Sequence, residues 1–291
     1  MSWRTVVIAN RCKLDLKLGY MVIRGDETKR VYLDELAMLI IESTAVSMTC
    51  CLMAELIARK IKVIFCDSKR TPCAELMPYV GSHDSSRKIK LQTSWSDDIK
   101  GAVWTDIVIE KIAKQAEFLE YLGKTNEAAM LRGYMRDVEF ADVTNREGHS
   151  AKVYFNAVFG MDFTRSTSCP VNVALNYGYS LLLSAFNREV AANGYLTQLG
   201  LHHDNIYNPF NLSCDLMEPF RPLVDRIVYE RNFNIFGAEE KHKLLELLHD
   251  EVIIADSKQT VLNAVKIYVR SIFAALNDCN TSLIRYYCNE L

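Results

Sequence analysis

The spacing of apolar residues changes character once along this chain, at a run of small polar residues, Gly81-Ser82-His83-Asp84-Ser85-Ser86. Before it, short β-branched runs alternate with charged residues and are punctuated by turn signals at Gly19 and Gly25-Asp26. After it, apolar residues recur at steps of three and four. A period near two builds strands and a period near 3.6 builds helices, so the chain is expected to be an α+β multidomain protein. A small β-rich N-terminal domain over residues 1–80 is followed by a linker and helix start at 81–94. A larger all-α domain then occupies 95–291.

Within the first domain, strands are expected at residues 4–9, 14–18, 20–24, 29–33 and 62–66, with a helix over 50–60. Residues 37–41 are apolar throughout and fit either a strand or a helix. No catalytic cluster falls inside this domain. In the second, Trp104, Val108, Ile112, Ala116, Leu119 and Leu122 share one helical face. A long helix is expected from about residue 172 to 193 with Gly194 as its left-handed stop, and another over 261–276.

Composition limits the partners. Thirty-four Lys and Arg stand against 36 Asp and Glu, a formal net charge of −2. No overall positive charge recruits the chain to a polyanion, so any nucleic-acid site has to be a local patch. The nine cysteines are odd in number, irregular in spacing and form no C-x-x-C pair. That disfavours zinc and a secreted disulfide framework and fits reduced thiols in a cytosolic protein. The N-terminus lacks a signal-peptide core, and the apolar stretch near 171–192 is broken by Asn176, Asn187, Arg188 and Glu189. A soluble, cytoplasmic protein with no membrane partner is expected.

Three places in the helical half carry chemistry. Asn145 is a suitable N-cap, and Glu147 then lies in a first turn, where the helix dipole favours a carboxylate. Alone, such a Glu is a capping residue; its company of Arg146, His149, Lys152 and Tyr154 exceeds what a cap requires. His202-His203-Asp204 lies in a loop after a glycine-bracketed stretch, and either imidazole could serve as a ligand. Asp215 and Glu218 are at i and i+3, on one face of a helical turn, although Arg221 and Arg226 could simply balance them. A carboxylate, an imidazole and a second carboxylate beside basic residues suit a hard or borderline divalent ion next to a polyanion, and hence phosphodiester chemistry. His83, His242 and His249 fit solvated positions, while Trp95 and Trp104 fit the core. The basic run at 85–90 is either a solvated helix start or a phosphate contact.

The run Asn145-Arg146-Glu147-Gly148-His149-Ser150-Ala151, the loop Gly200-Leu201-His202-His203, and Asp215-Leu216-Met217-Glu218-Pro219-Phe220-Arg221-Pro222 resemble the CRISPR adaptation integrase. The likeness is greatest to the version that accompanies single-effector type II systems. It extends from Trp3-Arg4-Thr5-Val6-Val7 through Ile64-Phe65-Cys66-Asp67 to Asp225-Arg226-Ile227-Val228-Tyr229 and weakens after about residue 232. The resemblance implies a dimerising β-rich domain and a helical catalytic domain with one site for Mg²⁺ or Mn²⁺. It assigns Glu147, His203 and Glu218 as catalytic metal ligands and Asp215 as an auxiliary acid that is not a direct ligand.

The implied activity belongs to antiviral defence: the 3′-hydroxyl ends of short DNA fragments are joined into the repeat array by metal-dependent transesterification, with DNA cleavage as a related activity. The implied partners are double-stranded DNA, as incoming fragment and repeat array, a second copy of the chain and a small dimeric adaptation subunit. The RNA-guided effector is a further candidate, and action at the bacterial nucleoid is expected. Arg146, Lys152 and Arg221 are the expected phosphate contacts, with His149 as a supporting group. Two other readings use the same residues: a stand-alone nuclease with water as nucleophile, and a non-catalytic DNA-binding scaffold.

Overall fold

The computed structural model describes residues 4–68, 70, 72–78, 82–233 and 235–288. Trp3 and Gly81, at the ends of two motifs above, lie outside them. The chain divides into two compact units, Met1–Gly81 and Ser82–Leu291.

The first unit contains two four-stranded sheets. One has the order β1-β5-β7-β8, formed by Arg4–Ile8, Leu36–Ile41, Lys62–Cys66 and Pro72–Glu75. The other has the order β4-β3-β2-β6, formed by Thr28–Tyr32, Tyr20–Arg24, Cys12–Lys17 and Val46–Met48. Residues 37–41 resolve as strand: β5 is buried at every position between two parallel neighbours, the setting in which a strand is apolar on both faces. Helix α1 (Cys50–Ala58) is capped by Thr49, whose hydroxyl accepts from the Leu52 amide at 3.3 Å. Its Leu52 and Leu56 join Leu14, Met21, Leu39 and Val63 in the core.

The second unit is helical: α2 (Ser85–Ser94), α3 (Asp97–Tyr121), α4 (Thr125–Arg136), α5 (Arg146–Phe159), α6 (Pro170–Ala192), α7 (Asn211–Met217), α8 (Arg221–Arg231), α9 (Ala238–Glu246) and α10 (Val261–Asp278). Helix α3 runs through its centre against α4, α5, α8, α10 and the single turn Glu218–Phe220. The stripe from Trp104 to Leu119 is buried, and so are Lys111, Lys114 and Gln115, because α3 is packed on nearly every side. Pro170 opens α6 at a position that needs no amide, and Gly194 ends it at φ +85°, where a glycine meets no Cβ penalty.

A hairpin also interrupts the helices, β9 (Glu251–Ile254) with β10 (Ser257–Thr260). Its turn places Ala255 and Asp256 at φ +50° and +58°. That backbone is the one Asn-Gly usually marks, and the Ala-Asp pair gives no such signal in the sequence.

Candidate active site

Glu147 is fixed from behind by its own helix start. The Asp142 carboxylate, 6% exposed, accepts from the amides of Arg146 at 2.7 Å and Glu147 at 3.1 Å, and the Asn145 side chain accepts from the Gly148 amide at 3.2 Å. The first-turn amides of α5 are thereby satisfied without the Glu147 side chain, which is left to face inward.

Glu218 arrives from the opposite side, in the turn between α7 and α8. Phe220, fully buried among the rings of Phe186, Tyr268 and Tyr287, anchors that turn, and the Tyr287 hydroxyl donates to the Pro219 carbonyl at 3.0 Å. Burying such a ring contributes roughly 2–3 kcal/mol, enough to hold the turn.

The two carboxylates meet at Lys111 of α3. Its ammonium donates to Oε1 of Glu147 and to Oε2 of Glu218, while Glu218 Oε1 accepts from Arg221 Nε at 2.8 Å. Burial opposes ionisation of Glu218, but Arg221 and Lys111 outweigh it and hold the carboxyl at about 2. Burial likewise opposes the charge on Lys111, and Glu218 and Glu147 together raise its pKa above the ordinary value.

The imidazole is organised by Asp215, which is fully buried on α7. One oxygen accepts from the amides of Leu201 at 2.6 Å and His202 at 3.1 Å; the other accepts from the His203 amide at 3.2 Å and pairs with His203 Nδ1. The loop passes so close that a Cβ on Gly200 would lie 2.2 Å from the His203 carbonyl oxygen and 2.8 Å from Asp215. The doublet divides its work. His202 stacks flat on Trp104 with centroids 4.5 Å apart, whereas His203 is held through Nδ1 with Nε2 on the opposite side of its ring. The Asp215 hydrogen bond raises the His203 pKa, against burial, and the charge of Glu218 adds to the effect.

A cavity of about 210 Å³ opens beside the carboxylate pair, lined by Lys111, Gln115, Glu147, Arg165, Glu218 and Arg221 among others. His203 lines a neighbouring cavity of about 370 Å³ instead. Among the described residues no three His, Cys, Asp or Glu side chains are grouped to hold one ion. The expected ligands thus appear as a carboxylate pair closed on an ammonium, with the imidazole to one side.

Of the expected phosphate contacts, Arg221 lines the first cavity, its guanidinium 4.7 Å over the Tyr179 ring. Arg146 turns instead onto Tyr134, and Lys152 and His149 are exposed on the outside of α5. The structure adds residues the motifs do not mark. Arg165 is held by Asn172 at 2.5 Å and Asn176 at 2.6 Å and also lies over Tyr179, at 5.2 Å. The Tyr179 hydroxyl donates to buried Asp225, whose pKa is pushed up to about 6 by burial despite that bond. The sequence does not single out Lys111 and Gln115, because α3 carries other polar residues beside them, among them Glu110, Lys114 and Glu117.

The family model for CRISPR associated protein Cas1 matches residues 5–234. A curated relative, the CRISPR-associated endonuclease Cas1 of Neisseria meningitidis serogroup C (strain 8013), is 34% identical over 98% of this chain and 96% of its own. A casposase bound to integration product shares the fold with a TM-score of 0.76 at 17% identity, over 96% of this chain and 92% of that one. A Cas6-RT-Cas1–Cas2 complex gives the same TM-score at 17% identity, over 99% of this chain but only 36% of the chain it matches. The casposase and the complex speak to the fold; the family match and the Neisseria relative, spanning nearly the whole sequence, place this chain in the Cas1 family.

Proposed function

We propose that this member of the Cas1 family is the integrase of CRISPR spacer acquisition and joins 3′-hydroxyl ends of short DNA fragments to the repeat array by metal-dependent transesterification. The observation that carries the reading is the convergence of Glu147 and Glu218, from separate elements, on one buried cation beside a cavity that also holds Arg165 and Arg221. Two carboxylates that already share a positive charge, with an imidazole next to one of them, fit Mg²⁺ or Mn²⁺; the imidazole suits Mn²⁺ somewhat better. Glu147 and Glu218 would hold the ion, with His203 as the third donor. Bound there, it would polarise a phosphoryl oxygen and acidify the attacking hydroxyl.

The chain's own groups do the rest. Asp215 fixes the His203 ring, as the second partner of a metal-binding imidazole commonly does. Arg221 and Arg165, braced by Tyr179, offer donors to a phosphodiester and favour the charge that builds on it. The attacking oxygen comes from one DNA strand and the leaving oxygen belongs to another, so no group on the protein becomes covalently attached. The proposed partners are both DNAs, a second copy of the chain, and a small dimeric adaptation subunit, in line with the Cas1–Cas2 assembly named for one structural neighbour.

The test is to incubate the protein with a 3′-hydroxyl fragment, supercoiled target and Mn²⁺. Joined product is expected from the wild type, and loss of at least about a hundredfold from Glu147→Ala or His203→Ala, the scale of removing a charge-stabilising group. Full joining by either variant overturns the assignment. Hydrolysis without joining would identify a nuclease, and DNA binding with no metal-dependent turnover a scaffold.

A further inference from the structure

Lys111 is 5% exposed, sits in the middle of the central helix and touches both carboxylates assigned above to the metal. Two carboxylates so close in a buried setting repel strongly unless a cation lies between them, so something must hold the pair together before an ion arrives. A lysine suits that task because its charge is compact and its stem has four rotatable carbons; an arginine fork would grip both carboxylates in fixed geometry.

The structure also supplies a place for the ammonium to go. Gln115, one turn further along the same face of α3, lines the same cavity of about 210 Å³. Its amide oxygen is buried and has no hydrogen-bond partner among the described residues. An unpaired buried acceptor is unfavourable unless another state of the protein satisfies it.

Resting on the metal reading above, we propose that Lys111 is an exchangeable internal cation, which keeps Glu147 and Glu218 together in the metal-free protein and withdraws toward Gln115 when a divalent ion binds. The device lets the site stay assembled without metal and lets metal entry proceed by exchange of one cation for another, without the carboxylates having to be brought together anew. It also means that the ammonium competes with the ion, so the apparent metal affinity is lower than the carboxylates alone would give.

The test is Mn²⁺ binding by calorimetry and thermal melting with and without Mn²⁺, on the full-length wild type, Lys111→Met and Lys111→Arg. Removing the competitor should tighten Mn²⁺ binding in Lys111→Met by about tenfold or more, because apparent affinity falls with the fraction of protein in the open state. The same variant should melt lower than the wild type without metal and recover with Mn²⁺. Lys111→Arg, with a cation that does not leave readily, should keep the metal-free melting point and bind Mn²⁺ at least about tenfold more weakly. If Lys111→Met binds Mn²⁺ no more tightly than the wild type, or if Lys111→Arg binds as well as the wild type, the exchange is overturned while the metal reading stands. If neither the wild type nor Lys111→Met binds Mn²⁺, both fail. Should Lys111→Met fold only in Mn²⁺, the ion is replacing the ammonium and the proposal is supported.

Discussion

Asp215 and Asp225 are both buried carboxylates near the site, and their hydrogen-bond partners differ. Asp215 accepts from three backbone amides and pairs with the His203 imidazole. Asp225 has Tyr179 as a donor and is dominated by burial, which raises it to about 6. A carboxyl whose folded pKa lies above its unfolded value of about 4 stabilises the fold below that value and loses the contribution as pH climbs toward 6. Asp225→Asn removes the titration. Its stability relative to the wild type should therefore improve between pH 4 and pH 6, by on the order of 2 kcal/mol, and stay level above pH 6. Denaturant melts at pH 4, 5, 6 and 7 check this; a difference that does not change with pH would show that burial does not raise the Asp225 pKa.

The elements matter because the site is assembled where helices cross. Gln92 of α2 shows how far this reaches: its amide donates to the Leu196 and Leu199 carbonyls at 2.9 and 3.2 Å and accepts from the Leu196 amide at 2.8 Å, tying the stretch before the histidines to α2. Helices α6 and α8 carry Tyr179, Arg221 and Asp225, and they approach closely at Gly178. A Cβ there would lie 2.4 Å from Val224 Cγ1. Gly178→Ala should thus cost about 1–3 kcal/mol by overpacking and weaken strand joining, with Val224→Ala restoring most of both. Additive effects in the double mutant would mean that the two helices do not share this contact. The cap and first turn holding Glu147 could be read from Asn145 and Glu147 alone, since capping is local. Asp142 could not: it sits before the cap at φ +52° and serves the helix through a turn with no sequence signature.

At the scale of the whole molecule, charge and length give little warning of the site. With a net charge of −2, the proposed DNA binding has to rest on local groups, of which Arg165 and Arg221 line the cavity. Affinity for DNA should fall linearly on a log–log plot as salt rises, and Arg165→Gln should lower the slope by about one, the loss of one neutralised phosphate. An unchanged slope would remove Arg165 from the DNA contacts. No helix among the described residues is long and apolar enough to cross a membrane.

The sequence by itself determined the two successive periodicities, the ends of α6 and α10 to within about two residues, and the three motifs that carry Glu147, His203 and Glu218. Each depends on residues adjacent in the chain, and local spacing and capping are sufficient to specify them. Only the tertiary structure decided which charges meet. Lys111 and Gln115 face the carboxylates because α3 is surrounded, Arg165 joins Arg221 over one tyrosine ring, and Arg146 and Lys152 turn elsewhere although they flank Glu147. Electrostatic interactions fall off with distance through space rather than along the chain, so a neighbour in sequence can be irrelevant to a site that a lysine from a distant helix completes.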